Sequence, residues 1–192
     1  MLYLIIIISL MILNCLLNIA FNPIYAWYYY IFAIIYFVAI AILVDAIVAT
    51  IIRLLPNKYF DYHRRMFKTS KKEMSFYKLI RIGKWKEKVP ELGMFVNFRK
   101  RKIADPKNPI YLERYILEAC YGIAIHYFSI PFSFCVLLFD FKMFSGNSNL
   151  YLTVGLPVAI VNAILIGIPV CVLKYNLPKL IRLYEYRKNQ QI

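Results

Sequence analysis

The chain has 192 residues, of which 61% are hydrophobic and 17% aromatic, with a formal net charge of +14 and a mean hydropathy of +0.58. Soluble domains are nearer half apolar, and the length predicts one domain, residues 1–192. Because the apolar residues stand in uninterrupted blocks, an ordinary soluble fold is excluded and an all-α integral membrane protein is predicted.

Taken in chain order, the first block (1–20) carries no ionisable side chain. It lacks the positive n-region and clean small-x-small cleavage site of a signal peptide, and its apolar run is longer than a usual h-region, so an uncleaved span is expected. Asn22-Pro23 predicts a tight turn, followed by a second span (26–52) whose one charged residue is Asp45. Residues 53–114 form a basic segment with Tyr59, Phe60, Tyr62, Phe67, Phe76, Tyr77, Trp85, Phe95 and Phe98 among its charges. Basic residues mixed with aromatics suit a chain lying at the lipid headgroups. From Glu73 to Val89 the apolar spacing fits neither helix nor strand cleanly.

The third span (115–139) carries Glu118 and His126, and the fourth (151–173) carries no charged residue. Ser145-Gly146-Asn147-Ser148-Asn149 predicts the turn between them. Each block reaches the roughly 20 helical residues that a hydrocarbon layer about 30 Å thick requires. The expected fold is four transmembrane helices in two hairpins, separated by the basic segment. Tyr175-Asn176-Leu177-Pro178 then predicts a break, with Pro178 opening a short interfacial helix in the tail (174–192). Cys15, Cys120, Cys135 and Cys171 all lie in apolar blocks without C-x-x-C spacing, so neither a metal site nor a disulfide frame is read from them.

Charge sets the orientation. Of the 24 Lys and Arg residues, 18 lie between Arg53 and Arg114 and five in the tail, whereas the two short connections carry only Lys142. Cytoplasmic loops are enriched in such residues. The basic segment and both termini are therefore expected in the cytoplasm of a multi-pass cell-membrane protein. Topology and anionic lipid account for the charge, and no nucleic-acid partner is expected.

Ionisable residues inside spans are functional candidates by default. Asp45 and Glu118 fall near the cytoplasmic level, with Arg53 or Lys174 as natural partners of Asp45 and Arg114 of Glu118. His126 lies eight residues beyond Glu118, roughly 12 Å deeper along a helix axis, so the two cannot form a direct hydrogen-bonded dyad. A near-neutral imidazole there suits a general base; a structural interhelical hydrogen bond is the plainer role.

Pro56-Asn57-Lys58-Tyr59-Phe60, Phe67-Lys68, Glu73 with Phe76-Tyr77-Lys78, Lys84-Trp85-Lys86 and Pro90-Glu91-Leu92-Gly93 run in an order that resembles the glycosyl-4,4′-diaponeurosporenoate acyltransferase family. Glu118 and His126 resemble its E-x7-H element, and Tyr175-Asn176 with Pro178-Lys179-Leu180 its Y-N-R-P-R element. Tyr121, Ile123 and Leu177 stand where that family carries Arg, Glu and Arg. The resemblance implies a membrane O-acyltransferase that esterifies a fatty acyl group onto the sugar of a glycosylated carotenoid or related glycolipid. It implies an acyl donor such as acyl-CoA or acyl carrier protein and no cofactor. His126 would be the base, Glu118 its catalytic companion, and Asp45, Glu73, Trp85, Tyr175 and Asn176 would bind substrate, the last two also serving the developing oxyanion. Arg81, Lys84 and Lys86 would hold donor phosphate. The departures motivate two rivals: an acyltransferase on a different membrane lipid, and a non-catalytic membrane subunit or lipid-binding scaffold.

Overall fold

The computed structural model describes residues 2–22, 25–89, 103–139 and 149–190, and every regular element among them is helical. Pro23, Pro90-Glu91-Leu92-Gly93, Phe95, Phe98 and the turn residues Ser145 to Ser148 lie outside the described residues. Helix α1 is Leu2–Phe21 and α2 is Trp27–Leu54. The segment whose periodicity was ambiguous contains α3 (Lys71–Leu79) and α4 (Ile82–Trp85), the latter running into a 3-10 turn, Lys86–Lys88. Helix α5 is Pro109–Phe132, continued by a 3-10 turn, Ser133–Leu138; a π-turn, Tyr151–Gly155, leads into α6, Leu156–Asn189.

Three helical stretches are long and apolar enough to cross a membrane: Trp27–Leu54, Pro109–Leu138 and Tyr151–Asn189. By the same measure α1 contributes a shorter apolar stretch, Ile8–Phe21. The second of these stretches, which begins with α5, starts earlier than hydropathy alone predicts, for a local reason. Asn108 Oδ1 accepts the backbone N–H groups of Ile110 and Tyr111 at 3.0 and 3.3 Å, and Pro109 sits at the first helical position. An asparagine cap followed by proline is a strong helix start.

Packing divides the chain into two compact units, Met1–Ile51 with Tyr127–Gly167, and Ile52–His126 with Ile168–Ile192. The first is built on apolar packing. Tyr30, Ala33, Ile34, Phe37 and Ala41 recur at helical spacing along α2 and bury against Val136, Leu150, Val154, Val158 and Ala159. On the opposite side of α2, Phe32 and Ile42 are 61% and 65% exposed. A helix apolar all round, with large side chains on its outer face, suits a lipid surround. Gly155 is fixed by closeness: a Cβ there would come within 3.1 Å of the Phe37 ring. Gly155→Ala is therefore expected to cost about 1–3 kcal/mol by overpacking, read as a lower melting temperature in detergent.

Two prolines explain two long-range hydrogen bonds. A proline has no N–H to donate to the carbonyl four residues back, and such carbonyls inside a membrane protein must find another donor. In the first unit Pro157 cannot serve the Thr153 carbonyl, and Asn18 Nδ2 donates to it at 3.0 Å. In the second unit Pro178 cannot serve the Lys174 carbonyl, and the Thr69 hydroxyl donates to it at 2.8 Å. The break expected at Tyr175–Pro178 is consequently absent, because α6 continues through Pro178 to Asn189.

Candidate functional site

Nine of the ten residues singled out in the sequence fall in the second unit; Asp45 falls in the first. Neither Arg53 nor Lys174, the partners expected for Asp45, is the one recorded. Its Oδ2 accepts from Asn162 Nδ2 at 3.2 Å, and Asn162 also donates to Ser133 Oγ at 3.1 Å. Ser133 in turn donates to the Ser129 carbonyl at 3.0 Å. This is an interhelical polar network among α2, the end of α5 and α6, of the kind that joins helices in lipid.

Along α5, Glu118, Gly122 and His126 stand at i, i+4 and i+8 and so share one face. That face packs on α6: a Cβ at Gly122 would lie 3.0 Å from Leu173 Cδ1. Glu118 Oε2 is bonded to Arg53 Nη1 at 2.7 Å, and the same guanidinium lies over the Tyr121 ring at 5.0 Å from its centroid. Arg53 is thus an ion-pair partner of Glu118. It ends α2, where a cation is also favoured by the helix dipole. The Tyr121 hydroxyl, with its single proton, lies 3.1 Å from the Leu55 carbonyl and 2.8 Å from Asn57 Oδ1, and the ring stacks on Phe60 at 3.9 Å between centroids. Tyr121 therefore anchors the turn after α2. Ile123 and Leu177 are core residues, each 1% exposed. His126 is half-buried, at the far end of the Glu118 face.

Directly after Leu173 a second group converges. Glu73 Oε1 meets Lys174 Nζ at 2.6 Å. The position of Glu73 is set locally by a reciprocal cap: Glu73 N–H donates to Ser70 Oγ at 3.1 Å, and Ser70 N–H donates to Glu73 Oε2 at 2.7 Å. Partial burial pushes the Glu73 carboxyl up, but the hydrogen bonds from Lys174 and Ser70 outweigh it and hold the group below its ordinary value. Four residues on, Tyr77 is buried, and burial raises its hydroxyl to about 12, so it remains neutral. Tyr77, Ile82, Val89 and Val172 form the apolar floor, with Trp85 and Tyr175 packed against it.

The turn between α3 and α4 is built around Arg81, the single non-glycine with positive φ among the described residues, at φ 53°. That left-handed residue costs on the order of 1 kcal/mol and reverses the chain tightly. It lets Trp85 Nε1 donate to the Ile80 carbonyl at 2.8 Å, and brings Gly83 so near Tyr175 that a Cβ would lie 3.3 Å from the hydroxyl. Lys86 then reaches α6, donating to Asn176 Oδ1 at 3.0 Å with its ammonium 5.8 Å from the Tyr175 ring centroid. Lys179 lies over the same ring at 4.2 Å.

The structure thus gathers Glu73, Trp85, Lys86, Tyr175 and Asn176, and separately pairs Glu118 with Arg53. Arg81 and Lys84 are exposed on the turn, and no recorded bond ties them to α6. Arg53, Thr69, Lys174 and Lys179 were not legible as site residues. The Ser70-x-x-Glu73 capping box was legible as a helix start, and it would have resolved the ambiguous segment. Among the described residues, no group of three or more His, Cys, Asp or Glu side chains could hold a metal.

A comparison with protein-family models matches residues 56–186 to a model described as glycosyl-4,4′-diaponeurosporenoate acyltransferase. Neither the curated proteins nor the solved structures gave a match.

Proposed function

The chain belongs to the glycosyl-4,4′-diaponeurosporenoate acyltransferase family, and from that premise we propose that it is a cell-membrane O-acyltransferase. It moves a fatty acyl group from a thioester donor, acyl-CoA or acyl carrier protein, to a sugar hydroxyl of a glycosylated carotenoid. The whole chain acts as one membrane domain of four spans with both termini in the cytoplasm. The family match over about two-thirds of the chain carries this reading, and the shared face of Glu118, Gly122 and His126 against α6 supports its chemistry.

In this mechanism the His126 imidazole takes the proton of the sugar hydroxyl as its oxygen attacks the thioester carbonyl. The C–O bond forms, the C–S bond breaks, and the proton passes from the imidazolium to the departing thiolate. Glu118, held by Arg53, orients the polar headgroup of the acceptor. The Tyr175–Asn176 corner binds substrate beside Trp85 and Glu73. Buried Ile123 and Leu177, where the resemblance places charges, favour one second reading: the same transfer onto a different glycolipid.

Membranes containing the chain, supplied with a glycosylated carotenoid and acyl-CoA, are expected to yield a lipid heavier by one acyl group in mass spectrometry. An ester on another glycolipid alone would select the second reading. No ester on any glycosylated acceptor, with the protein folded and present, would refute acyl transfer.

A further inference from the structure

We propose that Lys86, Lys179, Tyr175 and Asn176 form a phosphate-binding cradle. This deepens the acyl-transfer reading, on which it rests for the identity of the donor.

The charge balance around Tyr175 motivates the assignment. Lys86 reaches α6 beside that helix's own Lys174 and Lys179, and Glu73 is spent on Lys174 at 2.6 Å. Lys86 is held instead by a neutral acceptor, the Asn176 side-chain oxygen. Two ammonium groups therefore face one aromatic ring. An ammonium has three N–H donors, of which one serves Asn176. Because the Asn176 oxygen takes that bond, its NH2 group is a further donor at the same corner.

The arrangement is built rather than incidental. Three separate devices converge on it: the left-handed Arg81 turn, the Trp85 bond to Ile80, and the missing side chain at Gly83 that admits the Tyr175 hydroxyl. Each serves to bring residues 83–86 against 175–176. Lys84 and Arg81, the other cations of the same turn, are exposed and stand outside the convergence. Tyr175 then presents a hydroxyl and a ring flanked by cations, which suits a phosphate monoester or diester. Two sources fit this chemistry: the phosphates of coenzyme A, or an anionic lipid headgroup.

The test is a binding measurement on the full chain in nanodiscs, independent of turnover. Free coenzyme A is titrated into phosphatidylcholine nanodiscs, and phosphatidylglycerol adducts are counted by native mass spectrometry in mixed nanodiscs. The variants are K86Q/K179Q, the charge-retaining K86R/K179R, and K71Q/K72Q, which removes the same charge from the exposed start of α3. Coenzyme A binding that weakens about tenfold or more in K86Q/K179Q, returns in K86R/K179R and survives in K71Q/K72Q supports a cradle for donor phosphate. The same pattern confined to phosphatidylglycerol supports a headgroup cradle. Equal losses in K86Q/K179Q and K71Q/K72Q would mean unspecific charge attraction and overturn the proposal, as would two probes indifferent to K86Q/K179Q. Since neither readout needs an ester product, loss of the cradle and loss of acyl transfer are distinguished.

Discussion

His126→Ala is expected to lower acyl-ester formation by about 10²–10⁴-fold, the usual contribution of a positioned general base. The imidazole is one of two in the chain; the other, His63, is exposed and bonded to Asp61 at 2.8 Å. His126 lies on the Glu118–Gly122 face, one turn beyond Gly122, where a Cβ would lie 3.0 Å from Leu173 Cδ1 of α6. His126→Gln separates chemistry from packing, since glutamine hydrogen-bonds but takes no proton at neutral pH. The expected result is a folded His126→Gln protein with the same loss of ester. Full ester formation in either variant would remove the base assignment, and recovery in His126→Gln alone would make the residue structural.

Glu73→Ala is expected to destabilise the chain by about 2–3 kcal/mol, because one side chain performs two tasks. It closes the cap that starts α3, and it neutralises Lys174, whose side chain is 13% exposed. Losing the cap costs about 1 kcal/mol, and stranding a mostly buried ammonium costs another 1–2 kcal/mol. Glu73→Gln keeps the cap and loses only the charge, so its expected cost is about 1 kcal/mol. Thermal unfolding in detergent distinguishes the two, and equal melting temperatures would show that the cap contributes nothing. The pH dependence has a definite sign. The folded carboxyl sits below its ordinary value, so its stabilisation is present above the unfolded carboxyl range and is lost as pH falls through the depressed value. The Glu73→Gln protein should lack that acid-side loss.

The long helices were readable because lipid imposes one rule along many residues, namely apolar character over about 20 positions. That rule marks the middle of a helix well and its ends poorly. It placed the third span at 115, whereas Asn108 and Pro109 start the helix earlier. It also ended the fourth at 173, because Pro178 reads as a break when seen along one strand of sequence. The helix survives through Thr69, a residue 109 positions away, and no local pattern reports such a bond. The same limitation holds for the candidate site. Glu118 and Asp45 were identifiable as charges needing partners, but the partners, Arg53 and Asn162, depend on which faces pack. Lys86 with Tyr175 and Asn176 joins two motifs whose sequence order is visible and whose contact is made by the Arg81 turn.

The Thr69–Pro178 relation makes these two positions a single epistatic unit. Thr69→Val on its own strands the Lys174 carbonyl and carries a penalty of about 1–2 kcal/mol. Pro178→Ala restores an N–H four residues beyond that carbonyl, so the same Thr69→Val change becomes nearly neutral in its presence. The effect of a substitution at 69 is thus undefined until residue 178 is stated. Losing the proline before the threonine avoids that penalty, whereas the reverse order passes through it.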